Sequence, residues 1–222
     1  MLTRRSAIAL SGALLAALCG GAGGAHEPVD PAPAEPEPEP EPAEETVSVR
    51  FPASFLRLCA LSREDVLEQY ADGASEDALD AVAEGDDVIL TFTTGQLEAQ
   101  EQKWEETLAE KTASLVERDC ADAVDVSDDF RAITVTARPC FTDDNDAATD
   151  LYMTMVACGY LQLFDGQGDW GLRAAFVDAD TGVEVAAADM PGEGLTISRD
   201  IWADALSAAG VPYHEHAPAH GL

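Results

Sequence analysis

The sequence predicts an α+β domain in which an antiparallel sheet, built from hairpins, carries its helices mainly on one face. Short segments with alternating β-branched and aromatic residues, such as 88–93, indicate strands. Longer segments with apolar stripes indicate helices, and turn residues such as Gly85-Asp86-Asp87 join neighbouring strands. Hairpins and helices that alternate in this way are typical of an α+β domain.

Each strand is predicted from alternating residues between turn signals. The predicted strands lie at 47–51, 88–93, 124–126, 133–135, 172–177 and 183–187. Residues 75–84 leave two alternatives open. They fit a helix capped by Ser75, or a strand around 79–83 that forms a hairpin with the strand after Gly85.

The helices are predicted from apolar stripes and from capping residues. They lie between Ser62 and Gly73, over 94–118, over 146–164 and over 199–209. The helix over 146–164 is apolar on most sides, so we expect it to be the buried central helix. Its uncharged run is shorter than the roughly 20 residues that a membrane-spanning helix needs.

The chain divides into four segments. Residues 1–25 have the basic, apolar and small-residue order of a secretory signal peptide. Residues 26–45 contain eight acidic residues and seven prolines, which predicts a disordered, extended linker. Residues 46–210 form the single α+β domain, and 211–222 are expected to be a flexible tail that contains histidines.

The sequence leaves two outcomes open for the N-terminus, an anchored chain and a released one. Leu15-Ala16-Ala17-Leu18-Cys19 resembles a bacterial lipobox, which implies lipidation of Cys19, but Leu18 stands where that pattern has a small residue and argues against it. The rival is cleavage after Ala25 by a signal peptidase. A spacer is useful between two attached ends, so the linker favours a protein anchored through a lipid on Cys19 or through an uncleaved signal over a released one. Arg4-Arg5 leaves both the Sec and the twin-arginine routes open.

The charge of the chain excludes one class of partner. The sequence has 43 acidic and 12 basic residues, which gives a net charge of −31. Such a chain is repelled by nucleic acid and by anionic lipid headgroups. We therefore expect no nucleic-acid partner, and membrane attachment through the N-terminus only.

Four cysteines lie in the domain, and an even number outside the cytoplasm predicts disulfides. Cys120 and Cys140 flank the hairpin that turns near residues 128–130 and are nearly equidistant from the turn. We therefore predict the pairs Cys120–Cys140 and Cys59–Cys158. Four free, partly buried thiols are the alternative.

The order of these features resembles uncharacterised exported lipoproteins of actinobacteria. The resemblance rests on the signal, the acidic linker, the segment Phe51-Pro52-Ala53-Ser54-Phe55, the long polar helix and the closing hairpin at Asp180-Thr181-Gly182. It covers roughly residues 47–191. It implies a lipid anchor at Cys19 and implies no activity.

Candidate chemistry is confined to the tail and to acidic clusters. His214, His216 and His220 could bind Zn²⁺, Cu²⁺ or Ni²⁺, and a flexible tail is the alternative. Residues 143–146, and Asp178 with Asp180, could hold Ca²⁺, but helix capping and hairpin-turn chemistry explain them more simply.

The composition favours a non-catalytic module over an enzyme. The segment 46–213 contains no histidine, so a catalytic triad or Cys–His pair in the core is disfavoured, and no catalytic residue or cofactor is predicted. We expect an exported, surface-tethered binding or structural module for an extracellular or cell-envelope ligand. The alternatives are a metal-handling surface protein that uses the histidines, and a carboxylate-based extracytoplasmic hydrolase.

Overall fold

The computed structural model describes residues 44–70, 73 and 75–213. The predicted signal and nearly all of the linker lie outside this part of the chain, as do Cys19, His214, His216 and His220. The described residues belong to one unit, Pro42–Leu222. Contacts with the core extend to Val211 and Tyr213, just beyond the predicted end of the domain at residue 210.

The α+β class predicted from the sequence is confirmed. The strands are β1 (Thr46–Phe51), β2 (Asp80–Glu84), β3 (Asp87–Thr93), β4 (Ala121–Val126), β5 (Ala132–Ala137), β6 (Leu172–Asp178) and β7 (Glu184–Met190). The helices are α1 (Ala53–Leu58), α2 (Arg63–Gln69), α3 (Thr94–Val116), α4 (Asn145–Phe164) and α5 (Arg199–Ala208). A short 3-10 helix, Pro139–Asp143, precedes α4.

The strands form two sheets. The first is antiparallel with the order β1-β3-β2, and β2 and β3 form a hairpin that turns at Gly85, which has a φ of +66°. Residues 80–84 are thus a strand, which decides between the two alternatives for this segment. The second sheet has the order β4-β5-β6-β7. Its central pair, β5 and β6, is parallel because the chain crosses over through α4 between these strands.

Side-chain caps begin four of the helices. Ser62 with Asp65 and Thr93 with Gln96 form capping boxes at α2 and α3. Asp144 accepts a hydrogen bond from the Ala147 amide at the start of α4. The cap of α5 is Ser198.

Helix α4 is the buried central helix, as the sequence predicts. It packs against α3 along its length and also contacts β1 and β6. Along α3 the predicted apolar stripe faces the core, and Leu115 is fully buried. Among the described residues, no helix is both long enough and apolar enough to cross a membrane.

One of the two predicted disulfides is present. Cys120 and Cys140 are bonded, and the bond joins the chain before β4 to the 3-10 helix. The predicted Cys59–Cys158 pair is wrong, because both are free thiols. Cys59 lies beside Tyr160. Successive residues of an α-helix are about 100° apart, so Cys158 faces nearly the opposite side of α4 from Tyr160.

Candidate functional site

A cavity of about 150 Å³ lies between the first sheet, α2, α3 and the end of α4. Its walls are mostly apolar and aromatic, and its rim is polar. The lining residues are Phe51, Leu56, Leu61, Val66, Gln69, Tyr70, Asp77, Leu90, Phe92, Gln100, Lys103, Trp104, Tyr160 and Phe164. We refer to this space as the aromatic cavity.

The strands supply one wall of the aromatic cavity through their alternation. Val88, Leu90 and Phe92 occupy every second position of β3, and all three are buried. Val49 lies opposite Leu90 in the antiparallel register, so the same face of β1 also points inward. The position of this wall therefore follows from the strand pairing.

Helices α3 and α4 supply a second wall made of stacked rings. Trp104 stacks on Tyr160 with ring centroids 4.1 Å apart and ring planes 12° from parallel. Tyr160 also meets Phe51 and Phe164, with centroids 5.8 and 5.7 Å away. Aromatic pairs in such arrangements contribute roughly 0.5–1.5 kcal/mol beyond their buried area. The stacked pair therefore forms a packed aromatic wall, and both Trp104 and Tyr160 line the cavity.

The rim of the aromatic cavity carries amides and two opposite charges. Gln100 Nε2 donates to Asp77 Oδ1 at 2.9 Å, and Gln96 Nε2 donates to the Ser75 carbonyl at 3.0 Å. These bonds tie the segment before β2 to α3. Lys103 follows Gln100 by one turn of α3, and its side chain makes no ion pair with any described residue. By contrast, Lys111 Nζ lies 2.9 Å from Glu110 Oε1.

The titratable groups behind the wall are uncharged at neutral pH. Burial raises the pKa of the Cys59 thiol to about 11, although a hydrogen bond with Tyr160 opposes the change. Burial also raises the pKa of Tyr160. The pKa of Tyr70 is raised by burial and by the negative charge of Asp77. The Tyr152 hydroxyl donates to the Leu58 carbonyl at 2.7 Å. Asp77 and Lys103 are thus the charged side chains among the lining residues.

The structure places the predicted acidic clusters in structural roles. Asp144 caps α4, Asp143 forms an ion pair with Arg199, and Asp178 accepts hydrogen bonds inside the β6–β7 turn. Within the described ranges, no three His, Cys, Asp or Glu side chains gather as metal ligands would. The predicted ligands His214, His216 and His220 and the lipidation site Cys19 lie outside those ranges, so these remain predictions.

The aromatic cavity was not predicted from the sequence. Its residues come from β1, α1, α2, β3, α3, α4 and the segments that flank α2, and only the fold brings them together. Two signals were available. Trp104 is the one aromatic residue on the apolar stripe of α3, and Phe51, which opens the distinctive Phe-Pro-Ala-Ser segment, is one of the lining residues.

Comparison of the chain with protein-family models, with curated proteins and with solved structures returned no match.

Proposed function

We propose that this chain is a non-catalytic binding module of an exported, envelope-tethered protein, and that the aromatic cavity is its ligand site. The observation that carries the proposal is an aromatic cavity of about 150 Å³ with a polar rim. Concave apolar sites with a few polar groups are the usual form of small-molecule sites. An engineered apolar cavity of about 150 Å³ binds benzene, so the ligand or its buried part is of that size.

The chemistry of the site supports binding rather than turnover. Cys59 lies behind the wall, next to Tyr160, and its raised pKa keeps it a thiol instead of the reactive thiolate. The sequence from 46 to 213 offers no histidine as a general base. Asp77 is the carboxylate that lines the cavity, whereas carboxylate-based glycoside hydrolysis uses two facing carboxyl groups.

Export and tethering rest on the signal, Cys19 and the acidic linker. A linker of twenty residues in polyproline II conformation spans about 60 Å, at about 3.1 Å per residue. Intact-mass analysis of the mature protein tests this part of the proposal. A diacylglycerol mass on a chain that begins at Cys19 is the expected result, and a chain that begins at His26 without lipid would contradict tethering.

Ligand binding is tested with benzyl alcohol, a single ring with one small polar group. We expect saturable heat on titration into the full-length chain, together with quenching of tryptophan fluorescence, because Trp104 lines the aromatic cavity. The variant Gln69→Trp places a large side chain at the exposed rim without changing the core, and it should abolish both signals.

Circular dichroism and thermal unfolding establish that Gln69→Trp is folded. The matched control is Glu68→Trp, which adds the same side chain at an exposed neighbouring position outside the cavity lining. Binding that survives in Gln69→Trp, or that is absent from the parent chain, overturns the aromatic cavity as a ligand site.

A further inference from the structure

We infer that the aromatic cavity binds a free amino acid with an apolar side chain no larger than a benzyl group. This inference rests on the proposed function and specifies the chemical class of its ligand. The side chain would enter the cavity, the carboxylate would meet Lys103, and the ammonium group would meet Asp77.

The apolar part of the ligand is set by the volume and by the walls. The cavity volume of about 150 Å³ matches one six-membered ring or a branched aliphatic group. Leu90 and Phe92 form the sheet wall, and the stacked Trp104–Tyr160 pair forms the helix wall. A planar or branched apolar group in the cavity is therefore surrounded by apolar and aromatic side chains.

The polar part of the ligand is set by the two charges on the rim. Gln100 and Lys103 are three residues apart on α3, so their side chains leave the same face of the helix with Cβ atoms about 5–6 Å apart. Gln100 holds Asp77 Oδ1 at 2.9 Å, which places a carboxylate close to Lys103 without an ion pair between them. The rim thus carries the Asp77 carboxylate, held by Gln100, and the side chain of Lys103, which leaves α3 one helical turn after Gln100.

An amino acid carries the complementary pair of charges on one carbon atom. Its ammonium group and its carboxylate are adjacent, so both can reach the rim while the side chain occupies the cavity. Each contact is a hydrogen bond between two ionised groups, the stronger class of hydrogen bond in proteins. Gln69 and Gln100 add amide groups to the same rim.

The charge of the whole chain favours a zwitterion over an anion. At a net charge of −31, a free carboxylate ligand is repelled before it reaches Lys103. A zwitterion has no net charge and escapes this repulsion. An apolar amine is attracted by the field, but it leaves Lys103 without a partner.

Calorimetric titration of the full-length chain with L-phenylalanine, 3-phenylpropionate and 2-phenylethylamine tests the inference. The three probes share one ring and differ in the charged groups. L-phenylalanine should bind at least about tenfold more tightly than either analogue, since each lost charged hydrogen bond contributes roughly 1.5–3 kcal/mol. Equal affinity of all three would overturn the inference.

Two variants assign the charged contacts. Lys103→Met should weaken L-phenylalanine about tenfold and leave 2-phenylethylamine unchanged. Asp77→Asn keeps an acceptor for Gln100, and it should weaken L-phenylalanine while leaving 3-phenylpropionate unchanged. Lys111→Met is the matched control on the same helix, outside the cavity lining, and it should bind as the parent does. Uniform losses across the three probes in either rim variant would contradict the assigned contacts.

The outcomes separate this inference from the proposed function. If benzyl alcohol binds and Gln69→Trp blocks it, but L-phenylalanine shows no preference over its analogues, the module binds ligands and the amino-acid assignment fails. If none of the four probes binds, both proposals fail.

Discussion

Gly159 lies where α4 passes the ring of Phe55, and a Cβ at this position would overlap that ring. Phe55 is fully buried and meets Tyr160 and Trp170 edge to face, so it has no free space to move into. We predict that Gly159→Ala lowers the free energy of unfolding by roughly 1–3 kcal/mol through overpacking. Urea unfolding followed by circular dichroism measures the change.

The control for this prediction is Gly95→Ala. Gly95 lies in the first turn of α3, where an added Cβ comes no closer than 4.0 Å to the Thr93 hydroxyl. Alanine is favoured over glycine inside a helix by roughly 0.5–1 kcal/mol, so this variant should be as stable as the parent or more stable. A Gly159→Ala protein with the same gain would show that Phe55 does not approach the helix closely.

Asp178 is a second residue whose surroundings matter, because its hydrogen bonds lower its pKa. Its carboxylate accepts hydrogen bonds from the Thr181 amide and hydroxyl at 2.9 and 2.7 Å and from Trp202 Nε1 at 2.8 Å. Burial acts to raise the pKa of Asp178, but these hydrogen bonds outweigh it and the pKa is lowered. The charged carboxylate therefore connects the β6–β7 turn to the buried ring of Trp202 on α5.

The lowered pKa of Asp178 predicts a loss of stability in acid. A carboxylate with a lowered folded-state pKa stabilises the fold above the unfolded value of about 3.9, and this contribution disappears as the pH falls through the folded-state pKa. Asp178→Asn should lower the free energy of unfolding at pH about 7 by roughly 1–3 kcal/mol. Its deficit should shrink toward pH about 3, because the parent progressively loses the same contribution as the pH falls below the unfolded value of about 3.9.

Urea titrations at both pH values measure this difference between Asp178→Asn and the parent. Asp128→Asn, in the exposed β4–β5 turn, provides the matched substitution and should leave the unfolding free energy nearly unchanged at both pH values. A deficit for Asp178→Asn that stays constant across the pH range would show that the charge of Asp178 is not involved.

At the scale of elements, capping residues and strand alternation made most helix and strand boundaries predictable. Ser62 and Ser198 are caps that act within three residues, and alternation in β3 reflects a single buried face. Helix α1 was missed because Pro52 precedes it without a side-chain cap and because it has only six residues. Pairing between distant elements was harder to predict. The parallel β5–β6 pair and the separation of Cys59 from Cys158 both depend on how α4 crosses the sheet.

The disulfide is an element-scale feature because it closes the base of the β4–β5 hairpin. Cys120 and Cys140 are separated by 20 residues, and a cross-link that closes a loop of this length stabilises a domain by about 3 kcal/mol. We predict that the double variant Cys120→Ser/Cys140→Ser loses this amount of unfolding free energy. Its melting temperature should be insensitive to dithiothreitol, whereas that of the parent should fall to the level of the variant.

Free-thiol counting gives an independent check on the same cysteines. Cys59 and Cys158 should react slowly with a thiol reagent in the native protein, since burial raises their pKa to about 11 and about 12. Both should react at once in denaturant, while Cys120 and Cys140 react only after reduction. A denatured, unreduced domain without reactive thiols would show that Cys59 and Cys158 are bonded.

At the scale of the whole molecule, the site could not be predicted because no local pattern encodes it. The sequence pattern places Lys103 on the solvated face of α3 and Trp104 on its apolar stripe, and it predicts ordinary strand positions for Phe51 and Phe92. The segment before β2, which lines the cavity through Asp77, is held against α3 by Gln96 and Gln100. Asp77 and Lys103 likewise become neighbours of one cavity only through the tertiary structure.

The acidic composition acts on the molecule as a whole and predicts a response to salt. Many of the basic side chains are already paired with carboxylates, among them Arg50, Lys111, Arg118, Arg138 and Arg173. With 43 acidic residues against 12 basic ones, the remaining carboxylates repel one another in the folded state. Raising NaCl from about 0.01 M to about 1 M shortens the Debye length from about 30 Å to about 3 Å and screens this repulsion.

We therefore predict that the melting temperature rises with NaCl, by roughly 2–4 °C for each 1 kcal/mol of repulsion relieved in a domain of this size. Exposed ion pairs such as Arg173–Glu184 are weakened by the same screening, but such pairs contribute at most about 1 kcal/mol each. Sucrose at matched osmolality separates charge screening from general exclusion of solutes. A melting temperature that stays constant or falls with NaCl would mean that the ion pairs, rather than the excess carboxylates, dominate the electrostatics of the fold.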